Sequence, residues 1–187
     1  MDTEKEKMLA GKYYDANDTQ LREERINAKL LMKAFCDTSA DQYEEKMKIL
    51  KKLVPNGGDG LYIEPPFYCD YGSNIITGEK VYFNFNCVVL DGMRITIGNR
   101  ALFGPNVQIY TACHPIDYEE RAAGLEFSRP IIIGDDVWVG GSAVICPGVT
   151  IGDRCIIGAG SVVTKDIPSD TVAAGNPCKV IRSLTKK

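Results

Sequence analysis

One histidine and one tryptophan occur in 187 residues, and no two cysteines stand in a C-x-x-C pair. A metal centre built from several histidines, or from paired thiols, is therefore excluded, and no metal is expected. The seven cysteines are an odd number, which reads as reduced thiols in a cytoplasmic setting rather than a disulfide framework. No apolar run approaches the ~20 residues that a membrane helix needs, and residues 1–7 are too highly charged for a signal peptide. Charge of one sign is lacking too. A net charge of −3 excludes nucleic acid and anionic membrane as main partners. The length fits one principal domain with a real core.

What is present is a beat of six. Ile133, Val139, Ile145, Ile151, Ile157 and Val163 follow at constant spacing, with Gly next at 134, 140, 152 and 158. Four residues after the first five come Val137, Ala143, Val149, Cys155 and Ser161, all small or β-branched. Neither a helix nor a simple half-buried strand has this period. Short-period self-similarity marks a solenoid whose units bury their apolar sides only by stacking. The pattern resembles the hexapeptide repeat of left-handed parallel β-helices, three six-residue sides making one triangular coil. On that reading Ile133 stacks on Ile151 and Val139 on Ile157.

The beat continues upstream through Ile97-Gly98, Phe103-Gly104 and Ile109, and through Thr77-Gly78, Phe83 and Val89, with a slip of two residues at 94–96. It vanishes across 111–130, a polar stretch that the sole histidine, His114, helps to open. Interruptions of this length in a compact repeat are usually functional. The first fifty-odd residues differ. Asp18 or Thr19 caps a predicted helix carrying Leu21, Ala28, Met32 and Phe35 on one face. Ser39 to Gln42 has the form of a capping box ahead of Tyr43, Met47, Leu50 and Val54. The expected organisation is a helical cap over 1–57 and a β-helix over 58–187, with a loop at 111–130 and a C-terminal tail at 164–187. The cap would cover the unpaired end of the solenoid, and Arg25 and Asp15 are its candidates for reaching an acceptor site.

The chain closely resembles the maltose and galactoside O-acetyltransferases, nearly end to end. The resemblance rests on Met8-Leu9-Ala10-Gly11, Tyr62-Ile63-Glu64-Pro65-Pro66, Cys69-Asp70-Tyr71-Gly72, Asn84-Phe85-Asn86, Thr111-Ala112-Cys113-His114-Pro115-Ile116-Asp117, Val137-Trp138-Val139-Gly140, Thr164-Lys165-Asp166-Ile167-Pro168 and Asn176-Pro177. It implies acetyl-CoA as donor, a sugar hydroxyl as acceptor and a homotrimer with sites between subunits. His114 is then the general base, imidazole being the side chain that changes charge near neutral pH, and Asn84 the hydrogen-bond donor at the reaction centre. Cys113 beside it is not read as a nucleophile, since nothing near in sequence orients a base on its thiol.

Family positions that contact the coenzyme fall on Gly141, Ala159, Thr164, Lys165, Lys179 and Arg182. The first two are small enough for an extended arm to lie against the backbone, and the cations suit phosphates. Lys179 stands where a relative has arginine, which keeps the charge without the planar fork. Trp138 is a further candidate for the coenzyme arm. Acceptor candidates are Asp70, Arg25, Asp91 and Asn84, with Glu126 either binding sugar or orienting His114. Asp70, Gly92 and Ala16 depart from the galactoside pattern, which favours a glucose-type acceptor such as maltose or glucose. The alternatives are a galactoside, amino-sugar or antibiotic acceptor, or a non-catalytic scaffold, which would show regular Thr ladders and no interrupting loop. A γ-type carbonic anhydrase shares the β-helix but needs three histidines.

Overall fold

The structure is a computed structural model and describes residues 2–184. Each side of the solenoid is a short strand of alternating pattern, as in Val137 inward, Trp138 outward and Val139 inward. A tight corner follows whose third residue takes a left-handed conformation. Along one edge these are Asn86, Asn106, Ser142 and Gly160, with φ of 60°, 58°, 59° and 68°. Where a glycine follows the inward aliphatic residue, it is needed because coils stack closely. A Cβ on Gly140 would lie 2.6 Å from the Ala159 backbone nitrogen, and one on Gly134 2.7 Å from that of Asp153.

Three parallel faces result, and the coil is the left-handed parallel β-helix that the repeat implies. The first face stacks Tyr62–Ile63, Tyr82–Phe83, Leu102–Phe103, Trp138–Val139, Ile156–Ile157 and Thr171–Ala174, with Lys179–Ser183 added antiparallel. The second stacks Phe67–Cys69, Cys87–Leu90, Gln108–Tyr110, Val144–Ile145 and Val162–Val163. The third stacks Ile75–Thr77, Ile95–Ile97, Ile131–Ile133 and Thr150–Ile151. Ile133 pairs with Ile151 and Val139 with Ile157, as expected.

Coil length varies for a local reason. Phe83 pairs with Phe103, twenty residues on, whereas Val139 pairs with Ile157, eighteen on. The two extra residues sit at the corner after the second face, around Asp70 to Asn74 and Asp91 to Arg94. At the same edge, loop 111–130 leaves between Ile109 and Ile145, which are direct neighbours in the second face. It folds as an antiparallel pair, Ala112–Cys113 with Leu125–Ser128, around the short helix Tyr118–Ala122. The expected tail at 164–187 is corrected in part. Ile167 bridges Ile151, and Thr171–Ala174 pairs with the first face, so the chain makes another coil before turning back; residues 185–187 lie outside the described residues.

The main core is one column of inward residues, aromatic at the N-terminal end and aliphatic beyond, and a small second cluster joins Met8, Tyr14, Leu21 and Tyr71. Phe83 and Phe103 stack with centroids 4.3 Å apart, and Phe67 meets Phe83 edge-on. The open end is covered by helices α2 (Thr19–Asp37) and α3 (Tyr43–Leu53), while α1 (Glu4–Leu9) packs against α2 and the loop strand Leu125–Ser128. Met32, Phe35, Leu50 and Leu53 join the same cluster as Leu61 and Phe67. Asp18 caps α2 through its side chain, 3.2 Å from the Leu21 amide. The capping box expected at Ser39 to Gln42 forms only in half: the Ser39 amide donates to Gln42 Oε1 at 3.3 Å, but α3 itself starts after Gln42 without a side-chain cap, and the complete capping box of the cap region is Thr3 with Glu6 on α1.

Candidate active site

The edge with the extra residues carries a cleft of about 360 Å³. Tyr14, Ala16, Asn17 and Arg25 come to it from the cap, Asp70, Tyr71 and Leu90 from the first two coils, and Ala112, His114 and Glu126 from the loop. The loop is held to the cap by strand pairing, Tyr14 opposite Glu126 and Asp15 opposite Leu125. The Tyr14 hydroxyl donates to the Glu126 carboxylate at 3.0 Å. Arg25 donates to the Tyr71 hydroxyl at 2.7 Å and to the Ala16 carbonyl, so its planar fork is fixed on the cleft wall. His114 is exposed at the rim, and no hydrogen bond joins it to Glu126.

Asp70, Arg25 and Glu126 bring charges of both signs together here. Burial pushes the Asp70 carboxyl up, Arg25 opposes the shift and Glu126 adds to it. Burial likewise raises the Tyr71 phenol to about 12, against the pull of Arg25. Asp91, expected to face the acceptor, is corrected. It is fully buried beneath the cleft. Its Oδ1 accepts from the amides of Asp70 at 3.0 Å and Tyr71 at 2.9 Å, and its Oδ2 from that of Asn74 at 3.2 Å.

The remaining candidates lie elsewhere in this chain. Asn84 begins the corner between the first and second faces, its Oδ1 accepting from the Phe85 amide at 2.7 Å. Phe85, Pro105, Gly141 and Ala159 form one line along that corner, linked by bonds from Asn106 to Phe85, Ser142 to Pro105 and Gly160 to Gly141. Lys179 sits opposite Ala174 beside the same line, and Arg182 opposite Val172. Trp138 projects from the first face and is 54% exposed. Thr164 and Lys165 follow Val163 at the other end of the second face, on the edge of Asp70 and His114. The strand Cys87–Leu90 separates the two edges, and at roughly 3.3 Å per residue it holds Asn84 more than ~10 Å from the His114 cleft.

Residues 7–58 match the family described as maltose acetyltransferase hexapeptide capping motif, and residues 130–165 match bacterial transferase hexapeptide (six repeats). The galactoside O-acetyltransferase of Escherichia coli (strain K12) is 43% identical over 182 residues, 97% of this chain and 90% of that protein. The chain belongs to the maltose and galactoside O-acetyltransferase family. The solved maltose O-acetyltransferase of Clostridium difficile 630 is 51% identical to this acetyltransferase, covers 99% of both chains and superposes with a TM-score of 0.97. A galactoside acetyltransferase solved in complex with coenzyme A is 42% identical, covers 99% of this chain and 92% of its own, and has a TM-score of 0.95.

Several cleft residues of the acetyltransferase escaped sequence reasoning. Tyr14, Asn17 and Leu90 line the cleft without belonging to any spaced pattern. Tyr14 arrives through a two-residue strand paired 112 positions away, a contact too short and too distant to leave a periodic trace. Tyr71 was visible only as part of the Cys69 to Gly72 wording; its partner Arg25 lies on α2. No helix among the described residues is long and apolar enough to cross a membrane.

Proposed function

We propose that this acetyltransferase moves the acetyl group of acetyl-CoA to a hydroxyl of a glucose-type sugar, such as maltose or glucose, by direct attack. His114 takes the proton of the acceptor hydroxyl as its oxygen adds to the thioester carbonyl. Asn84 donates a hydrogen bond to the oxyanion that develops there. The C–O bond is kept, the C–S bond breaks, and His114 returns the proton to the departing thiolate. No acyl-enzyme forms, because both substrates occupy one site and proximity supplies much of the rate.

The observation that carries this reading is the sorting of candidates onto two edges of one face. Asp70, His114, Thr164 and Lys165 lie along one edge; Asn84, Gly141, Ala159 and Lys179 lie along the other. Neither set is a site for acyl transfer by itself. A second copy that lays its Asn84 edge along the His114 edge of the first unites base, oxyanion donor and coenzyme contacts. Contact between two different edges is heterologous and makes a ring where its rotation closes, and a prism of triangular section suits three copies. The coenzyme arm would lie along the small-residue line at Gly141 and Ala159 beside Trp138, with its phosphates near Lys165, Lys179 and Arg182. In the cleft, Asp70 and Glu126 accept from sugar hydroxyls and Arg25 donates to them.

The test is acetyl-CoA-dependent product formation, followed by mass spectrometry over maltose, glucose, a galactoside, an amino sugar and an antibiotic alcohol. A mono-acetylated glucose-type sugar, absent with His114→Ala, supports the proposal. Transfer only to another acceptor overturns the sugar assignment, and full turnover by His114→Ala overturns the mechanism.

A further inference from the structure

The corner that bears the cleft has a backbone problem that later coils do not share. In the later coils the second face leads into a compact corner at Cys146, Pro147 and Gly148, and Cys146 donates its amide to Val163 of the next coil. In the first coil the corner is lengthened, and the amides of Asp70, Tyr71 and Asn74 point inward. One carboxylate meets all three. Asp91 contributes both oxygens, and its own carbonyl accepts from Asn74 Nδ2 at 2.7 Å. The same turn is wedged against the cap. Gly72 has φ +74°, and a Cβ there would lie 2.1 Å from the Leu53 carbonyl oxygen. The turn has no room to relax sideways, so its orientation depends on the group beneath it.

What this turn presents is the acceptor wall. Asp70 projects into the cleft, and Tyr71 holds Arg25. We propose that Asp91 is a positioning residue for acceptor binding: its buried carboxylate fixes the backbone of Asp70 and Tyr71 and thereby aims the Asp70 side chain and the Tyr71–Arg25 pair at the sugar. This rests on reading the cleft as the acceptor site. Asp91 never touches the acceptor, and nothing connects it to the coenzyme line on the other edge. Its removal therefore weakens one substrate and spares the other.

The experiment compares KM for acceptor and for acetyl-CoA in wild type, Asp91→Ala, Asp91→Asn, Asp70→Ala and the Asp70→Ala/Asp91→Ala double variant, with His114→Ala alongside. Asp91→Ala is expected to raise the acceptor KM about tenfold and leave that for acetyl-CoA within about twofold. Asp91→Asn keeps an oxygen for Asp70 and Tyr71 but sets an amide NH₂ against the Asn74 N–H, so a smaller rise of about threefold is expected. The double variant should fall short of the product of the two single effects, because both act through one side chain. An unchanged acceptor KM, equal rises in both KM values, or fully multiplicative effects would overturn the inference. If Asp91→Ala does not fold by circular dichroism, Asp91→Asn decides by the same split. Active wild type with inactive His114→Ala and a normal Asp91 variant sinks only this inference. Absence of transfer by wild type to every sugar sinks the functional reading and this one with it.

Discussion

His114 stands exposed at the rim of a cleft in which Tyr14 is tied to Glu126 and Arg25 to Tyr71. On the proposed reading, a base so placed is free to meet an acceptor hydroxyl, and its loss should remove proton transfer without touching the coenzyme line. His114→Ala is expected to lower kcat by ~10²–10⁴-fold while calorimetric binding of acetyl-CoA stays near wild type. Asn84→Ala should lower kcat ~100-fold with little change in either KM; a KM effect alone would make Asn84 a binding residue. Lys179→Ala and Arg182→Ala should each raise the KM for acetyl-CoA several-fold and leave the acceptor KM alone. At this scale the sequence was readable where a residue is rare or sits in a motif, as His114 does. It was misleading at Asp91, whose identity as a carboxylate said nothing of whether it faces the cleft or the backbone beneath.

The six-residue side is the unit of stability. Ile145, fully buried between Ile109 and Val163, has neighbours above and below that cannot move into a vacated volume. Ile145→Ala should cost ~2–5 kcal/mol in chemical denaturation. The corner beneath the cleft adds a pH dependence. Burial pushes the Asp91 carboxyl up to about 7, with Asp70 adding to the shift and the amides of Tyr71 and Asn74 opposing it. Above its ordinary value the unfolded chain is ionised while the folded carboxyl still holds its proton. This group's contribution to stability therefore falls as pH rises from about 4 to about 7, then levels off. Asp91→Asn should flatten that part of a melting-temperature profile, and an unchanged profile would show that Asp91 titrates normally. Strands and their stacking were legible from the aliphatic beat and its glycines, and the buried face of α2 from its helical spacing. The lengthened corners of the early coils were legible only as a slip of two residues, because an insertion at a corner shifts the beat without revealing what the inserted residues hold.

For the molecule as a whole, the proposed site, split between two edges, demands assembly. Sedimentation should give a species near three times the 20.6 kDa chain mass. A stronger check mixes two inactive variants. If His114 and Asn84 come from different chains, trimers refolded from equal amounts of His114→Ala and Asn84→Ala contain sites with both residues intact, about one in four by random association. Recovery near a quarter of wild-type activity supports the shared site; no recovery places both residues in one chain's site and overturns it.

The β-helix, the helical cap and the inward column were determined by the sequence alone, because a repeated local pattern buries its apolar side in only one way and needs no distant contact to be recognised. The lone histidine and the interrupted beat also marked where chemistry was to be sought. Only the tertiary structure decided which residues meet. Tyr14 joins Glu126 and Arg25 joins Tyr71 across long stretches of chain. Asp91 turns down to the backbone, and Asn84 lies on the opposite edge from His114. Such pairings depend on coil length and corner shape, which a one-dimensional period does not encode.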